Sequence, residues 1–364
     1  MEASQEIKTL RCSASEGFTT WMSQADGSVA ISTYQAGRLV MVGWNGRQVS
    51  VLPRELPKPM GLATGDGTFA VACREEVIFF ADAPHLAPHY PEENANRYDC
   101  LYLPRASYLT GDLSLHDLAF GDEGLWVVNT RFSCLSLISR AYSFIPRWQP
   151  PFITAVTPED RCHLNGLALA NGKPKFVTAH GTTDVAGTWR EQKTNGGVLM
   201  DVESGEFILR GLCMPHSPRM RDGSLWFLNS GLGELCLVDT ERGTCETVCQ
   251  LPGYARGLCF VGSYALVGLS KVRSSHLFEG MPVQAKHSSL VCGVAVVDLK
   301  SGRNLGAFEF TDGCDELYDV HFLPGGTRPS IVNHQNPASR RGVTSPQFAY
   351  WLYEKEDTKG PGSP

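Results

Sequence analysis

The stretch His163-Leu-Asn-Gly-Leu-Ala-Leu169 lies near the middle of the 364-residue chain, and related stretches recur about every 40 to 60 residues. Each relative has a polar or bulky lead residue, then a small or acidic residue, then in most cases an apolar one. The six lead residues are Met60, His116, Asn165, His216, Arg256 and Tyr318. Thirteen positions after each lead residue, the chain is in or just past a short apolar run, at Cys73, Asn129, Thr178, Asn229, Leu269 and Ile331. A fixed offset of this kind predicts one strand–turn–strand unit used six times in a radial or solenoid fold.

The segments between these units supply further strands. Gly124-Leu-Trp-Val-Val-Asn129 and Ser224-Leu-Trp-Phe-Leu-Asn229 are near copies of one second strand. Three later segments place Asp before a turn and Gly where positive φ is needed: 199–205, 237–243 and 297–302. The spacing matches four-stranded blades joined by variable loops. We therefore predict an all-β fold, a six-bladed β-propeller, with seven blades as the alternative if the two ends of the chain each form their own blade.

The two ends of the chain have different patterns. Phe18, Trp21 and Met22 stand at helical spacing before Asp26-Gly27, which predicts a short N-terminal capping helix. Residues 1–27 are interpreted as a tail plus this helix, 28–333 as one propeller domain, and 334–364 as a partly disordered C-terminal extension. The strands predicted between 28 and 52 lack an inner strand, and the unit at Tyr318 lacks a clear sequel. We expect the two to complete one closing blade.

Composition limits the function classes. The net charge is −6 and the body of the chain has no basic run, which argues against nucleic-acid and anionic-membrane partners. No run approaches the ~18 apolar residues of a membrane span, and the N-terminal residues do not read as a secretory signal. The 12 cysteines include no Cys-x-x-Cys pair, and several lie within apolar runs. Reduced, mostly buried thiols in a cytoplasmic protein are therefore expected.

The lead residues carry the main functional signal. In a propeller, the loop entering the innermost strand opens on the same face as the loop between strands two and three, so the lead residues should ring one channel mouth. Imidazoles from separate blades, at His116, His163 and His216, can hold a divalent metal and leave a coordination site open. With Arg256 and Tyr318 beside them, such a site suits polarising a substrate and moving a proton. We predict these five residues as catalytic and the three histidines as metal ligands; a metal-free ligand site and purely structural histidines are the alternatives.

A second set of polar residues is expected near the same face. Its members end second strands, flank lead residues, or lie in the insertions 180–196 and 271–289, which should roof the mouth. The candidate ligand-binding residues are Asn129, Arg131, Asn165, Trp189, Arg190, Arg219, Asn229 and Lys271. Their chemistry suits a small polar or anionic ligand, and Trp189 with Arg190 is a candidate clamp for an anionic or carbonyl group.

Several blocks are similar to a family of conserved hypothetical bacterial proteins that is propeller-like and of unknown function. The resemblance covers about residues 28–325 and is carried by Ser32-Thr-Tyr-Gln-Ala-Gly37, Asn129-Thr-Arg-Phe-Ser-Cys134, Pro158-Glu-Asp-Arg-Cys-His-Leu-Asn-Gly166, Met214-Pro-His-Ser-Pro-Arg219 and Gly268-Leu-Ser-Lys271. It implies the fold and no reaction. More distantly, channel histidines in a propeller resemble those of lyases, lactonases and amidating lyases that use a channel metal, a likeness of architecture that does not determine function.

Two function classes follow. The first is an intracellular enzyme, metal-assisted, acting on a small polar molecule by lyase, isomerase or hydrolase chemistry. The second is a non-catalytic propeller that binds a peptide or protein partner. Histidine and arginine at the mouth favour the first class, whereas an apolar aromatic mouth would favour the second. The pattern identifies no substrate and predicts no oligomeric state.

Overall fold

The computed structural model of the chain describes residues 9–65, 67–272 and 280–352. Within these ranges, strands form six sheets of four or five strands each and one separate hairpin. The innermost strand of each sheet contacts the innermost strands of its two neighbours, which closes a ring. These strands are Leu62–Gly65, Leu115–Gly121, Leu164–Ala170, Pro215–Arg221, Tyr254–Val261 and Asp319–Pro324. The six-bladed propeller predicted from the repeats is confirmed.

Blades 1 to 5 follow the order of the chain, and in each the strands run outward as antiparallel neighbours. After the innermost strands, the strands are Thr68–Ala72, Glu76–Asp82 and Cys100–Leu109 in blade 1; Gly124–Asn129, Cys134–Leu137 and Ile145–Trp148 in blade 2; Lys173–Ala179, Gly197–Asp201 and Phe207–Leu212 in blade 3; Ser224–Asn229, Glu234–Asp239 and Thr244–Gln250 in blade 4; and Tyr264–Ser270, Gly293–Asp298 and Arg303–Asp312 in blade 5. The second strands of blades 2 and 4 are buried at all but their first residue, because each blade is covered on both faces by its neighbours.

Blade 6 joins the two ends of the chain. Its innermost strand Asp319–Pro324 pairs with Gly27–Ser32, and Arg38–Trp44 and Val49–Glu55 follow outward. This confirms the predicted closing blade. Closure of this kind leaves no open edge at the channel, where unpaired backbone groups would be costly.

Two further strands extend the outer edges. Residues Arg11–Ala14 pair with Arg303–Asp312 of blade 5, although the sequence predicted them as part of a tail. Residues Pro329–Ile331 pair in parallel with Cys100–Leu109 of blade 1. Both additions satisfy backbone groups at the edge of a blade, and neither short segment has a sequence pattern that identifies its distant partner.

The predicted N-terminal helix is confirmed as Glu16–Gln24. Its first turn is capped by Ser15, whose hydroxyl accepts a hydrogen bond from the Phe18 N–H at 3.3 Å. The buried side chains Phe18, Trp21 and Met22 pack into one cluster with apolar residues of both blade 5 and blade 6. The helix therefore covers the seam where the ring closes.

The remaining helical segments are short. Two α-helical turns are Val283–Lys286 and Ala338–Arg341, and the 3₁₀ turns are Tyr34–Ala36, Ala87–His89, Glu92–Asn94, Thr188–Gln192 and Ser230–Leu232. No helix in the described part of the chain is long and apolar enough to cross a bilayer. After the propeller, Gly342–Thr344 and Ala349–Trp351 form a hairpin, and residues 353–364 of the extension expected to be partly disordered lie outside the described residues.

A buried polar network ties the inner strands together. The guanidinium of Arg219 donates to both carboxylate oxygens of Asp117, at 2.7 and 3.0 Å. Arg219 also donates to the carbonyl oxygens of Leu167 at 3.1 Å and Leu258 at 3.2 Å, so blades 2, 3, 4 and 5 meet at one side chain. Asp117 in turn accepts from the Leu167 N–H at 3.0 Å. A charge pair that is this completely hydrogen-bonded acts as a strut between blades.

Candidate functional site

A polar cavity of about 600 Å³ lies where inner strands begin and second strands end. His116 and His216 are the second residues of their inner strands, and both line this cavity. Arg256 near the start of the blade 5 inner strand and His163 just before the blade 3 inner strand also line it. The structure thus brings these four predicted residues to one mouth of the channel.

His116 is held in one tautomer. Its Nδ1 lies 2.8 Å from the carbonyl oxygen of Ser114 and 2.7 Å from the hydroxyl of Thr130. The Thr130 hydroxyl donates its own hydrogen to the carbonyl of Leu164 at 2.6 Å. Because both neighbours of Nδ1 must therefore accept, Nδ1 carries the proton and the Nε2 lone pair is left for a ligand.

His216 repeats this arrangement two blades away. Its Nδ1 lies 2.9 Å from the carbonyl oxygen of Met214 and 2.8 Å from the hydroxyl of Ser230. Ser230 follows His216 by fourteen positions, as Thr130 follows His116. Since the carbonyl can only accept, the Nε2 of His216 is also a free acceptor.

In blade 3 the histidine stands after the second strand, and the lead position of the inner strand holds a different polar residue. The register pairs Leu115 with Asn129, Pro215 with Asn229 and Leu164 with Ala179. The lead position of blade 3 is therefore Asn165 rather than a histidine, and the position after the second strand is His180 rather than Thr or Ser.

His180 is a site residue that the sequence reasoning missed. It lines the cavity, and its Nε2 accepts a hydrogen bond from the Asn165 amide at 3.3 Å. Asn165 therefore supports a cavity residue without lining the cavity itself. Alignment of His180 with Thr130 and Ser230 was the available signal, and it was hidden by an offset of fifteen rather than fourteen from the lead residue.

His163 is paired with a carboxylate. Its Nδ1 lies 3.0 Å from both oxygens of Asp160. Asp160 also accepts from the Trp189 indole N–H at 3.2 Å and lies 3.5 Å from Arg190. The Trp189 ring lies 4.2 Å from the His163 ring, centroid to centroid. The carboxylate thus holds the proton on Nδ1, and the Nε2 of His163 is the basic atom of a fixed ring.

The four imidazoles form a row. Ring centroids are 4.7 Å apart for His116 and His163, 4.6 Å for His163 and His180, and 5.0 Å for His180 and His216. The three histidines predicted as metal ligands are thus at one mouth, but His180 stands between His163 and His216. Burial lowers the pKa of His116, His180 and His216 well below the ordinary value, and the nearby charge of Arg256 lowers it further. These three rings are neutral at physiological pH.

Arg256 and Tyr318 lie at the side of the row. The guanidinium carbon of Arg256 is 3.6 Å from the Tyr318 ring centroid, and its Nη1 donates to Glu316 at 3.1 Å. The Tyr318 ring meets His116 edge-on at 5.3 Å. Burial raises the pKa of Tyr318 well above the ordinary value, so the phenol stays protonated. Glu316 and Arg256 line the cavity, and Tyr318 lies directly behind them.

Insertion 180–196 contributes Trp189 and Arg190 to the cavity wall, whereas the described residues of insertion 271–289 do not line the cavity and pack against Trp189. Trp189, from insertion 180–196, is buried in one cluster with Met281 and Val283 from insertion 271–289. Residues 273–279 of the second insertion lie outside the described residues. Arg190 lines the cavity with its guanidinium 4.2 Å above the Trp189 ring. Arg131 lines it from blade 2 and pairs with Asp112 at 3.1 Å.

Besides Asn165, four of the predicted ligand-binding residues do not line the cavity. Asn129 accepts from the Phe132 N–H at 3.2 Å, and Asn229 accepts from the Cys213 N–H at 2.9 Å, so both shape turns next to the mouth. Lys271 is paired with Asp315 at 3.3 Å outside the cavity. Arg219 belongs to the buried network with Asp117 and lines a separate cavity of about 220 Å³. Each of these side chains supports the scaffold.

Backbone strain is concentrated around the cavity. Several of its lining residues have positive φ although they are not glycine, a conformation that costs about 1–3 kcal/mol each and is enriched at functional sites. They are Tyr34 (φ 50), Ser114 (φ 52), Asp160 (φ 48), His163 (φ 51) and Met214 (φ 50).

The metal prediction has no direct counterpart in the arrangement of side chains. Over residues 9–65, 67–272 and 280–352, no group of three or more His, Cys, Asp or Glu side chains is placed to hold a metal ion. The donor atoms themselves, three imidazole Nε2 lone pairs, are of the type that transition metals bind.

One comparison with a solved structure agrees with the fold. A chain in the crystal structure of a nidogen/laminin complex matches with a TM-score of 0.51 and 9% identity, over 82% of this chain and 98% of that one. The WD40 domain of Neurospora crassa Pan2 matches with a TM-score of 0.39 and 12% identity, over 69% of this chain and 65% of that one. At such identities the first likeness supports the propeller fold alone. No curated protein gives a significant sequence match. A family model does match, over residues 16–332, and it confirms the resemblance found in the sequence blocks: the chain belongs to the family described as Domain of unknown function (DUF4915).

Proposed function

We propose that this protein is an enzyme that moves a proton of a small polar molecule bound in the cavity, with His163 as the general base. The observation that carries the proposal is the contact of Asp160 with Nδ1 of His163 at 3.0 Å, which directs the basic Nε2 to the ligand. A carboxylate that orients an imidazole and stabilises its protonated form is a recurring part of general-base sites. A cavity of about 600 Å³ has the volume range of small-molecule sites.

The neighbouring groups have complementary roles. His163 takes a proton from an O–H or an activated C–H of the substrate, and the imidazolium that forms is paired with Asp160. The adjacent rings of His116 and His180 are neutral, so they do not oppose this charge. The Arg256 guanidinium, which lines the cavity, is a donor for a substrate oxygen that gains negative charge. The imidazolium then returns the proton to a product atom, which suits the lyase, isomerase and hydrolase reactions expected from the sequence.

Burial of the row favours an enzyme over a scaffold for a peptide or protein, the alternative expected from the sequence. His180 and His216 are almost fully buried, whereas peptide recognition uses groups that a partner chain can reach. All twelve cysteines are free thiols, which supports a reducing, cytoplasmic setting for this enzyme.

The metal predicted at His116, His163 and His216 stays a prediction. It is tested by the metal content of protein purified without a His tag. A stoichiometric metal that is lost in His163→Ala supports it, and metal-free protein with full activity contradicts it.

Hydrogen exchange tests the proposed function. The protein is incubated in D₂O with a panel of small hydroxylated aldehydes, ketones and acids, and deuterium incorporation is followed by NMR. We expect exchange with one substrate group and a loss of about 100-fold or more in His163→Gln, the range for removal of a general base. The exposed His85→Gln is the matched control and should exchange at the wild-type rate. A His163→Gln variant as active as wild type would show that His163 is not the base.

A further inference from the structure

Donors without partners lie beside the histidine row. Among the described residues of this region, the Arg256 Nε–H, the Tyr318 hydroxyl and the His180 Nδ1 have no hydrogen-bond partner. These side chains are only 7%, 3% and 1% exposed, respectively. A buried polar group left unsatisfied is costly, and the Arg256 and His180 side chains line the cavity, so their donors point to a ligand that supplies acceptor atoms.

The row itself supplies the opposite kind of group. The Nε2 atoms of His116, His163 and His216 are acceptors, because each Nδ1 is committed to an oxygen acceptor. A ligand that satisfies these atoms must present several O–H or N–H donors. It must therefore combine several donors with at least one oxygen acceptor.

The charges that line the cavity cancel. Three of its arginines are each paired with a carboxylate: Arg256 with Glu316 at 3.1 Å, Arg190 with Asp160 at 3.5 Å, and Arg131 with Asp112 at 3.1 Å. Among the lining residues that the structure describes, the remaining carboxylate is Glu159, which is paired with Arg161 at 2.8 Å. No cation among the described lining residues is left over for an anionic ligand, and an ammonium group would face Arg256.

We propose that the ligand is an uncharged, polyhydroxylated carbonyl compound or polyol of about monosaccharide size. Its hydroxyl groups donate to the imidazole Nε2 atoms, and its carbonyl or ring oxygens accept from Arg256 and His180. The proposal departs from the anionic ligand considered from the sequence. It rests on the proposed function only in placing the substrate in this cavity.

Glu316 determines whether the cavity binds neutral or anionic ligands more tightly. It neutralises Arg256, so an incoming carboxylate would stand beside Glu316 with no cation of its own. Like charges brought together in a desolvated site cost several kcal/mol, and each 1.4 kcal/mol is a factor of about ten in affinity. We expect neutral ligands to bind at least about tenfold more tightly than their acids. In Glu316→Gln the cavity gains one net positive charge, and the preference should invert.

The experiment compares matched pairs by isothermal calorimetry and thermal shift. The pairs are glucose and gluconate, galactose and galactonate, and xylose and xylonate, with glucitol and inositol as polyols. The proteins are wild type, Glu316→Gln, Arg256→Lys and the exposed control Arg47→Lys. We expect binding of a neutral member by wild type and by Arg47→Lys, weaker binding by Arg256→Lys because lysine lacks the Nε–H donor, and binding of the acid by Glu316→Gln.

The outcomes separate this inference from the proposed function. Tighter binding of an acid by wild type overturns it, as does the absence of binding by every neutral compound at millimolar concentration. A Glu316→Gln protein that keeps its melting temperature and still prefers the neutral member also overturns it. Neutral binding without hydrogen exchange would leave this inference standing and contradict the proposed function.

Discussion

Two clusters of polar side chains are buried near the same inner strands, and they differ in how many of their hydrogen-bonding groups have a partner. In the network of Arg219 and Asp117, both carboxylate oxygens and the guanidinium nitrogens contact partners on four blades. In and beside the histidine row, the Nδ1 of His180 and the Nε of Arg256 have no partner. Both regions look alike in sequence, with charged or imidazole side chains near lead residues.

The difference separates structure from function. A buried ion pair with every group hydrogen-bonded holds blades together and has nothing left with which to bind a ligand. A buried group with missing partners costs stability, and a protein keeps it where a ligand supplies the partner. Arg219 was predicted to bind a ligand because it follows His216 closely in the sequence. Because its hydrogen bonds are satisfied within the protein, it belongs to the groups that hold blades together.

The largest expected effect is a loss of stability when the network of Arg219 and Asp117 is broken. Asp117→Ala leaves the Arg219 charge buried without its partner, which costs about 3–5 kcal/mol. His116→Ala removes one hydrogen-bonded ring at the cavity and should cost about 1 kcal/mol. The free energy of unfolding in denaturant measures both. Equal losses would mean that the row is as much a strut as the network.

The pH dependence of stability should have opposite signs in the two regions. Burial raises the pKa of Asp319, next to the network, to about 7, above its unfolded value of 3.8. The stability that Asp319 contributes is therefore fully present below about pH 3.8, and it is lost as the pH rises through 7. Burial lowers the pKa of His116, His180 and His216 below 6.5, so their contribution is present above 6.5 and is lost as the pH falls below it.

Unfolding free energies from pH 5 to pH 9 test this contrast. Asp319→Asn should remove the loss of stability that occurs as the pH rises to about 7 and leave the profile above pH 7 unchanged. His180→Asn should reduce the decline toward acid pH and leave the alkaline side unchanged. Identical pH profiles for wild type and both variants would contradict the assignment.

The smallest expected effect concerns a single hydroxyl. Thr130→Val removes one acceptor from the Nδ1–H of His116 and should cost about 1 kcal/mol of stability. The carbonyl of Ser114 still accepts, so ¹⁵N shifts should show a modest rise in the Nε2-protonated tautomer. Thr68→Val removes a comparable hydroxyl, bonded to the Gly65 carbonyl at 2.7 Å in blade 1, and is the matched control. A change of tautomer in the control as well would mean that the effect is not local.

The fold was largely predictable because a blade repeats a local pattern. Alternation and turn residues recur with each lead residue, and they identified the near-copy strands Gly124–Asn129 and Ser224–Asn229. The closing blade was also predictable. The N-terminal strands lack an inner strand, and the unit at Tyr318 has an inner strand without following strands, so the two ends complement each other. The edge strand Arg11–Ala14 was not, because four residues become a strand only through hydrogen bonds to residues about 300 positions away.

The site was predictable only where it obeys the repeat. His116 and His216 occupy the same lead position, so the sequence alone placed them at one mouth. His180 was missed because blade 3 has a second register shift, between Ala168 and Leu169, which adds one residue before it. A single inserted residue is invisible to a fixed offset but leaves the three-dimensional position intact.

The sequence by itself thus determined the number of blades, the closure of the ring and the mouth at which histidines gather, because these follow from periodic local patterns. Only the tertiary structure decided which polar side chains are satisfied. Arg219 finds Asp117 from 102 positions away, Asp160 pairs with His163, and Arg256 is neutralised by Glu316. These partners are set by packing between blades, and the balance of charge and hydrogen bonds at the cavity follows from them rather than from any local motif.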